Sequence, residues 1–517
     1  MIEHRPPLWV AALWCVAACG SNAAPGGFES GGASPASASN IASSASNATM
    51  SESSTSFAQG ASSSGVTYTD TPTNGSNPSS SASAATSRST HSGAGGNGST
   101  SPSSAGAGGS NSTYSATGTN GGASSSSAGA TGSSTFNGLH VVMGTSGHAG
   151  QIADKNGQVV QLRGADESGT ENFCLTWGPP AVVMSPAGGP SPLDQASLTA
   201  MKQWGLNTVR IPLNEDCWLG INGVDASVGG SNYQSPIMDA VNLITQTNSM
   251  YVILDLHMSA PGTTAATNQG AMPDVDHSIT FWQQVAAAYA NNGSVIFDLF
   301  NEPNMGSAPI AQQFSCLENG STTAGGGDCP FMNFAVAGTQ QLLTAVRQAG
   351  ANNLVIIGGP GFSAHLELWP QYVPTDTLSP PNIAASWHVY DDQGGCTTDA
   401  ATTFGTLCST SSGLGAQAVM NAGYPIVVGE TGYYSCSGST GQSWWPIFLS
   451  WADTQGIGYV AWSWSTSNTP YLLNDVTSFT AAGNGPTYST YLGCIQSKTI
   501  TPATSCTSIP QTGCETQ

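Results

Sequence analysis

Val295-Ile296-Phe297-Asp298-Leu299-Phe300-Asn301-Glu302-Pro303 decides how the rest of the chain is read. It is a β-prone, largely apolar run that ends in a polar pair and a proline. A run of this kind suits a strand covered on both faces, as in a parallel sheet. Seven similar runs surround it: Val160–Ala165, Thr208–Leu213, Tyr251–His257, Leu354–Gly359, Ile383–Tyr390, Ile426–Gly432 and Tyr459–Ser465. Between them lie amphipathic segments that predict helices over Asp194–Trp204, Pro236–Asn248, Ser278–Ala290 and Phe334–Ala349. Gly205 and Gly350 stop two of these, and Pro236 is expected in a first turn. Eight β/α repeats predict an α/β fold, the closed (β/α)8 TIM barrel. Gly147–Gln158, just before the first strand, is expected to form a hairpin plugging the barrel floor.

An open, doubly wound sheet is the rival fold. It would carry a glycine-rich phosphate loop after its first strand. That position reads Ala165-Asp166-Glu167-Ser168-Gly169, which is no such loop, and Gly358-Gly359-Pro360-Gly361 lacks the Lys-Ser/Thr of a P-loop.

Composition divides the chain of 517 residues in two. Residues 20–135 are almost all Ser, Gly, Ala, Thr and Asn, with Glu29, Glu52, Asp70 and Arg88 as the charged exceptions. Such a segment cannot bury enough apolar surface to offset its ordering entropy, so it is expected to be a disordered linker. Residues 136–517 hold nearly all the Trp, Leu and Ile, and exceed the roughly 250 residues of a minimal barrel. Residues 1–19 have signal-peptide shape: Arg5, then Leu8–Ala18 as an apolar run too short to span a membrane as an ordinary helix. The run ends Val16-Ala17-Ala18-Cys19-Gly20, which resembles a bacterial lipoprotein cleavage box. Lipidation at Cys19 is expected, with simple secretion as the alternative. Either puts the protein outside the cell or on its surface.

Ten of the 12 cysteines follow Cys19. An even number after a signal peptide points to disulfides in an oxidising compartment. Chain proximity suggests Cys316–Cys329, Cys396–Cys408 and Cys506–Cys514, and the barrel layout suggests Cys174–Cys217 and Cys436–Cys494. No CxxC pair occurs, so no zinc site is expected. A net charge of −21 with 8 Lys+Arg excludes a basic nucleic-acid surface and suits a neutral substrate.

In such barrels the active groups gather at the C-terminal ends of the strands. Those ends supply Arg210 and Asn214, Asp255 and His257, Asn301 and Glu302, His388 and Tyr390, Glu430, and Trp462 and Trp464. One polar strand end would be ordinary, and Asp255 is assigned to barrel structure. Six strand ends converging on one mouth call for a shared task. Glu302 lies on strand four and Glu430 on strand seven, which face each other across the mouth. Glycosidic cleavage needs two carboxyl groups flanking one bond, and a separation of about 5–5.5 Å gives retention. Glu302 should then start protonated, and Arg210 is the cation at hand to keep Glu430 ionised.

The opening stretch resembles the signature of glycoside hydrolase family 5, the cellulase-type members of the clan with paired glutamates on strands four and seven. Leu162–Gly164, Val209–Pro212, Ile253–His257, Trp387–Tyr390, Val428–Glu430 and Ala461–Ser463 are similar to family segments in the family's order, over roughly residues 140 to 480. The resemblance implies Glu302 as acid/base and Glu430 as nucleophile. It implies Asn301 at the sugar's 2-hydroxyl, Arg210 and Tyr390 holding the nucleophile, His257 and His388 lining the same subsite, and Trp462 as sugar platform. Met258, Thr431 and Asp166 depart from common family residues and bear on the sugar subsites. Trp464, two residues on, is read as platform or packing. Trp177, Trp218 and Trp369 lie in loops, as packing or as further platforms.

The expected function is that of a retaining glycoside hydrolase, an endo-β-1,4-glucanase before a β-mannanase or other β-glycanase. A carbohydrate-binding barrel would have lost a catalytic Glu. A metal-dependent barrel hydrolase would need three or four convergent ligands around His257 and His388. No cofactor or metal, no nucleic-acid partner, a polysaccharide or oligosaccharide substrate and a monomer are expected.

Overall fold

A computed structural model of the protein describes residues 138–145, 149–177, 193–390, 415–433, 440–467 and 470–497. The expected signal segment, linker and lipidated Cys19 lie outside these residues. A hairpin of β1 (His140–Val142) and β2 (Gln151–Ala153) comes first. The barrel begins with β3 (Arg163–Asp166), β4 (Thr208–Asn214), β5 (Tyr251–Met258) and β6 (Val295–Asp298). A separate antiparallel pair follows, β7 (Gly320–Ser321) and β8 (Val336–Ala337). The barrel then resumes with β9 (Val355–Ile357), β10 (Ile383–Tyr390), β11 (Ile426–Gly432) and β12 (Gly458–Ala461). β12 pairs with β3, so the eight parallel strands close.

Each expected run supplies one barrel strand, but several end early. β6 stops at Asp298 rather than Pro303. Beyond it the chain bonds alternately to its two neighbours, Leu299 N–H to Ile356 O and Asn301 N–H to Leu256 O. That crossing lifts Asn301 and Glu302 into the mouth.

The described helices are α1 (Gln195–Trp204), α2 (Glu215–Leu219), α3 (Ser231–Asn242), α4 (Ser278–Tyr289), α5 (Ile310–Asn319), α6 (Thr339–Gln348), α7 (Ala416–Asn421), α8 (Thr440–Gln455) and α9 (Gly485–Ser497). Asp194 caps α1 by accepting from Ser197 N–H, and Gly205 ends it at φ 93°. α3 departs from expectation. It begins at Ser231, so Pro236 sits inside the helix and not in its first turn. Tyr233 explains the earlier start: its buried hydroxyl donates to Thr170 O, tying that turn to the loop after β3. α6 starts at Thr339 because Val336 and Ala337 are paired with β7, and Gly338 N–H is then capped by the Gln341 side chain.

The barrel interior is layered. Leu162, Ile253, Ile296, Ile356, Ala384, Val427 and Val460 form an apolar floor cluster, into which Val141 and Ile152 of the hairpin pack. The floor is therefore plugged as expected, although pairing begins at His140. One layer higher, two residues on along the strands, the inward positions turn polar: Asp255, Asp298 and Ser386, with Arg210 among them. Such a layer is costly unless its members satisfy each other.

Cys174–Cys217 and Cys316–Cys329 are bonded as expected. The three other expected pairs each involve positions outside the described residues. Among the described residues no helix is long and apolar enough to cross a membrane.

Candidate active site

The mouth of the barrel is built around one guanidinium. Arg210, on β4, is fully buried. Its Nη1 donates to Glu430 Oε1 at 2.8 Å and to Asp166 Oδ1 at 2.9 Å. Its Nη2 donates to Asn301 Oδ1 at 2.8 Å and lies 3.2–3.3 Å from carboxylate oxygens of Asp255 and Asp298. One cation thus faces four carboxyl groups, and they cannot all ionise out of water. Burial pushes Asp166 well above the ordinary carboxylate range, against the pull of Arg210. For the same reason Asp298 is raised from 3.8 to about 7.

Glu430 reaches this cluster through a local irregularity. Along β11, Val427 points to the floor cluster and Val428 to the outer core. Plain alternation would send residue 429 inward and residue 430 outward. The register against β10 skips Gly429, pairing Trp387 with Val428 and then His388 with Glu430. This bulge turns Glu430 into the mouth and Thr431 outward, where Thr431 Oγ1 accepts from the Trp445 indole. Gly429 sits in a tight space: a Cβ there would lie 3.0 Å from His388 Nε2 and 3.0 Å from Ser386 Oγ, so either side chain would have to give.

Glu430 Oε2 accepts from the Tyr390 hydroxyl at 2.8 Å, so each of its oxygens has a donor. Opposite, Glu302 Oε1 lies 2.9 Å from His388 Nδ1. One oxygen of Glu302, one of Glu430 and a nitrogen of His388 lie within 4.8 Å of one another. Burial raises Glu302 above its ordinary value, with His257, Gln269 and Arg210 pulling the other way. Burial lowers His388 to about 4, so it is neutral across the physiological range. Two glutamates and a histidine this close could chelate a divalent cation, but every one of these contacts is equally accounted for by an acid–nucleophile pair.

His257 Nδ1 lies 2.9 Å from Asp255 Oδ2, and its Nε2 3.4 Å from Asn301 Nδ2. Burial alone would lower His257, but Asp255, with Glu171 and Glu430, raises it to about 9. Trp462 stacks on the His257 ring with centroids 5.7 Å apart. Ser363 Oγ donates to Asn301 O at 2.6 Å, holding the Asn301-Glu302 backbone.

All eight expected catalytic and binding residues therefore meet in one mouth. Trp464 does not: it is fully buried, stacks against Phe479, meets Trp204 edge-on, and donates from its indole to Ser197 Oγ. The strand has already ended at Ala461, so the same-face rule does not extend to it. Trp218 and Trp369 are packing residues too, against Phe281 and Tyr424. The side chain of Trp177 lies outside what is described. Asp255 holds both Arg210 and His257, which makes it part of the site's support as well as of the barrel. Sequence reading passed over Asp298, whose spacing of two from inward Ile296 was the available signal. It also passed over Gln269, whose Nε2 donates to Glu302 O at 3.0 Å and Glu302 Oε2 at 3.3 Å. No local pattern marks Gln269.

A model of the cellulase family, glycosyl hydrolase family 5, matches residues 153–468. Cellulase CelDZ1 of Thermoanaerobacterium sp is 23% identical over 342 residues, 65% of this chain and 73% of that protein. Endoglucanase C of Evansella cellulosilytica is 24% identical over 344 residues, 63% of this chain and 37% of that protein. The chain thus matches about three quarters of the first relative's length and little over a third of the second's. A solved cellulase–inhibitor complex superposes with a TM-score of 0.51 at 19% identity, covering 69% of this chain and 99% of that one, and shares the fold.

Proposed function

The chain belongs to glycosyl hydrolase family 5 and is a glycoside hydrolase, and from that premise we propose that it cuts β-1,4-glucan internally by double displacement, with Glu430 as nucleophile and Glu302 as acid/base. The single observation that carries the mechanism is the closeness of the two carboxyl groups, with oxygens within 4.8 Å. That suits the about 5–5.5 Å of retaining enzymes, whereas inversion needs about 6.5–9.5 Å to seat a water.

In the first step Glu302 gives its proton to the glycosidic oxygen as Glu430 attacks the anomeric carbon. The C–O bond to the leaving sugar breaks and a glycosyl ester forms on Glu430. In the second step Glu302, now a carboxylate, takes a proton from water, and the water oxygen displaces Glu430. Burial supports the first role by raising the Glu302 carboxyl above its ordinary value, the direction a proton donor needs. Arg210 and Tyr390, one on each oxygen of Glu430, aim the nucleophile and stabilise it as the leaving carboxylate. Asn301, held by Arg210, would meet the 2-hydroxyl, and Trp462 would carry the apolar face of the ring.

The choice of β-1,4-glucan rests on the relatives, a cellulase and an endoglucanase. Product analysis on β-glucan, mannan, xylan and aryl glycosides tests it; faster release from mannan than from glucan would reject it. Glu430→Ala should cut hydrolysis by at least about a thousandfold with the fold intact, and azide should restore a product of inverted configuration. Undiminished turnover would remove the nucleophile assignment.

For the N-terminal region we propose export, with Cys19 lipidated and residues 20–135 tethering a monomeric barrel. Radiolabelled palmitate incorporated in the native chain and lost in Cys19→Ser is the expected result.

A further inference from the structure

The loop between β5 and α4, residues 259–277, leaves the mouth and returns to it at Gln269. Three consecutive residues running from the end of β4 into α2 hold it. The Asn214 amide donates to Ala266 O at 2.7 Å. Glu215 Oε1 accepts from Ala260 N–H at 2.8 Å, and Asp216 Oδ2 from Ala266 N–H at 2.8 Å. The loop's far end is tied as well, with Ser278 Oγ on Glu215 Oε2 at 2.8 Å. Past Gln269 the chain closes on its own start: a Cβ at Gly270 would lie 2.5 Å from Ser259 Oγ and 2.9 Å from the Ser259 backbone oxygen, which favours glycine there. Asn304 N–H then joins Ala271 O at 2.9 Å, fastening the loop to the segment just after Glu302.

These anchors present the Gln269 side chain to Glu302. Its orientation is determined chemically. The Glu302 carbonyl oxygen can only accept, so the amide NH2 of Gln269 must face it. The second hydrogen of that NH2 is then directed at Glu302 Oε2, 3.3 Å away. Glu302 thus has its backbone and one carboxyl oxygen held by one side chain, and its other oxygen beside His388.

We infer that Gln269 is a positioning residue for the acid/base, aiming the Glu302 carboxyl and donating to the charge that appears there when it releases its proton. The inference rests on the acid role of Glu302 given above. A neutral carboxylic acid gains little from an N–H donor on Oε2, whereas the carboxylate gains a charge-assisted hydrogen bond. The contact therefore strengthens as the proton departs, which favours the first transition state. The other groups facing Glu302 are His388 and Glu430, with His257, Arg210 and Asp255 acting at longer range. None of these lies on the 259–277 loop.

The test uses the full chain and two substrates. Cellohexaose has a poor leaving group and needs the acid; 2,4-dinitrophenyl β-cellobioside does not, and its first step is read as the dinitrophenolate burst. In Gln269→Ala, kcat/KM on cellohexaose should fall about tenfold, a fraction of what a general acid supplies, while the burst rate stays within about twofold. Loss of the donor disfavours the ionised form, so the basic limb of the cellohexaose pH profile should move up by about half a unit. Gln269→Met, which keeps the side chain's bulk without the donor, should behave alike even where the alanine variant folds poorly. Equal losses on both substrates, or an unmoved basic limb in both variants, would overturn the inference. Glu302→Ala serves as the control: its cellohexaose activity should vanish while the burst survives. If it cuts the two substrates alike, the acid role itself fails, independently of Gln269.

Discussion

Arg210 Nη1 and Glu430 Oε1 lie 2.8 Å apart, and the guanidinium that makes the contact is completely shut off from solvent. The same nitrogen also binds Asp166, and its twin binds Asn301. Glu430, Asp166 and Asn301 are thereby referred to a single planar group.

Replacing that group should harm stability and turnover together. Removing the guanidinium from a buried set of carboxyl groups costs about 3–5 kcal/mol, so Arg210→Ala should lower the unfolding free energy by that amount. Arg210→Lys keeps the charge but not the fork that donates to four side chains at once, and should still lose about a hundredfold in kcat. Denaturant titration and steady-state kinetics check both. A lysine variant with native kcat would show that charge alone suffices.

The two tryptophans of Trp462-Ser463-Trp464 should respond in opposite ways. Trp464→Ala opens a large hole between α1 and the barrel and should cost about 3–5 kcal/mol of stability. Trp462→Ala should cost less stability than Trp464→Ala and raise KM about tenfold, through the lost apolar face. A melting temperature that falls equally in both variants would deny Trp462 a platform role.

Stability should decline as pH rises from about 6.5 to 9. His257 is raised from 6.5 to about 9, so the folded state holds a proton that the unfolded state has released, and this stabilisation disappears through that window. Asp298, raised from 3.8 to about 7, acts in the same direction over a lower range, from about 4 to 7. His388, lowered from 6.5 to about 4, opposes them only between those two values and is silent above 6.5. Melting temperatures across pH 6.5–9 should therefore fall, and His257→Gln should flatten the slope. A rising or flat profile in the native chain would contradict the assignment.

Cys174–Cys217 joins the loop after β3 to α2 across 43 residues. A closed loop of that length stabilises by up to about 4 kcal/mol through the unfolded chain. The Cys174→Ala/Cys217→Ala double variant should lose most of this, and should also lower kcat, because α2 carries the Glu215 and Asp216 anchors of the Gln269 loop. Unchanged kcat on cellohexaose would uncouple the disulfide from the site.

What the sequence by itself determined was whatever depends on local period. Apolar runs of strand length alternating with amphipathic segments suffice for eight strands and their order. Strand ends put Arg210, His257, Asn301, Glu302, His388, Tyr390, Glu430 and Trp462 among the candidates, and the resemblance to family 5 singled them out. Both are written within a few residues of chain. Only the tertiary structure decided the rest. Glu430 points inward because β11 bulges at Gly429 against His388 of a different strand. Pro236 lies inside α3 because Tyr233 is drawn to Thr170. Trp464 faces α1 because the strand ends at Ala461. Gln269 meets Glu302 because residues 214–216 hold its loop. In each case the deciding partner is remote in sequence, so contacts between distant segments set the outcome and no local period records it.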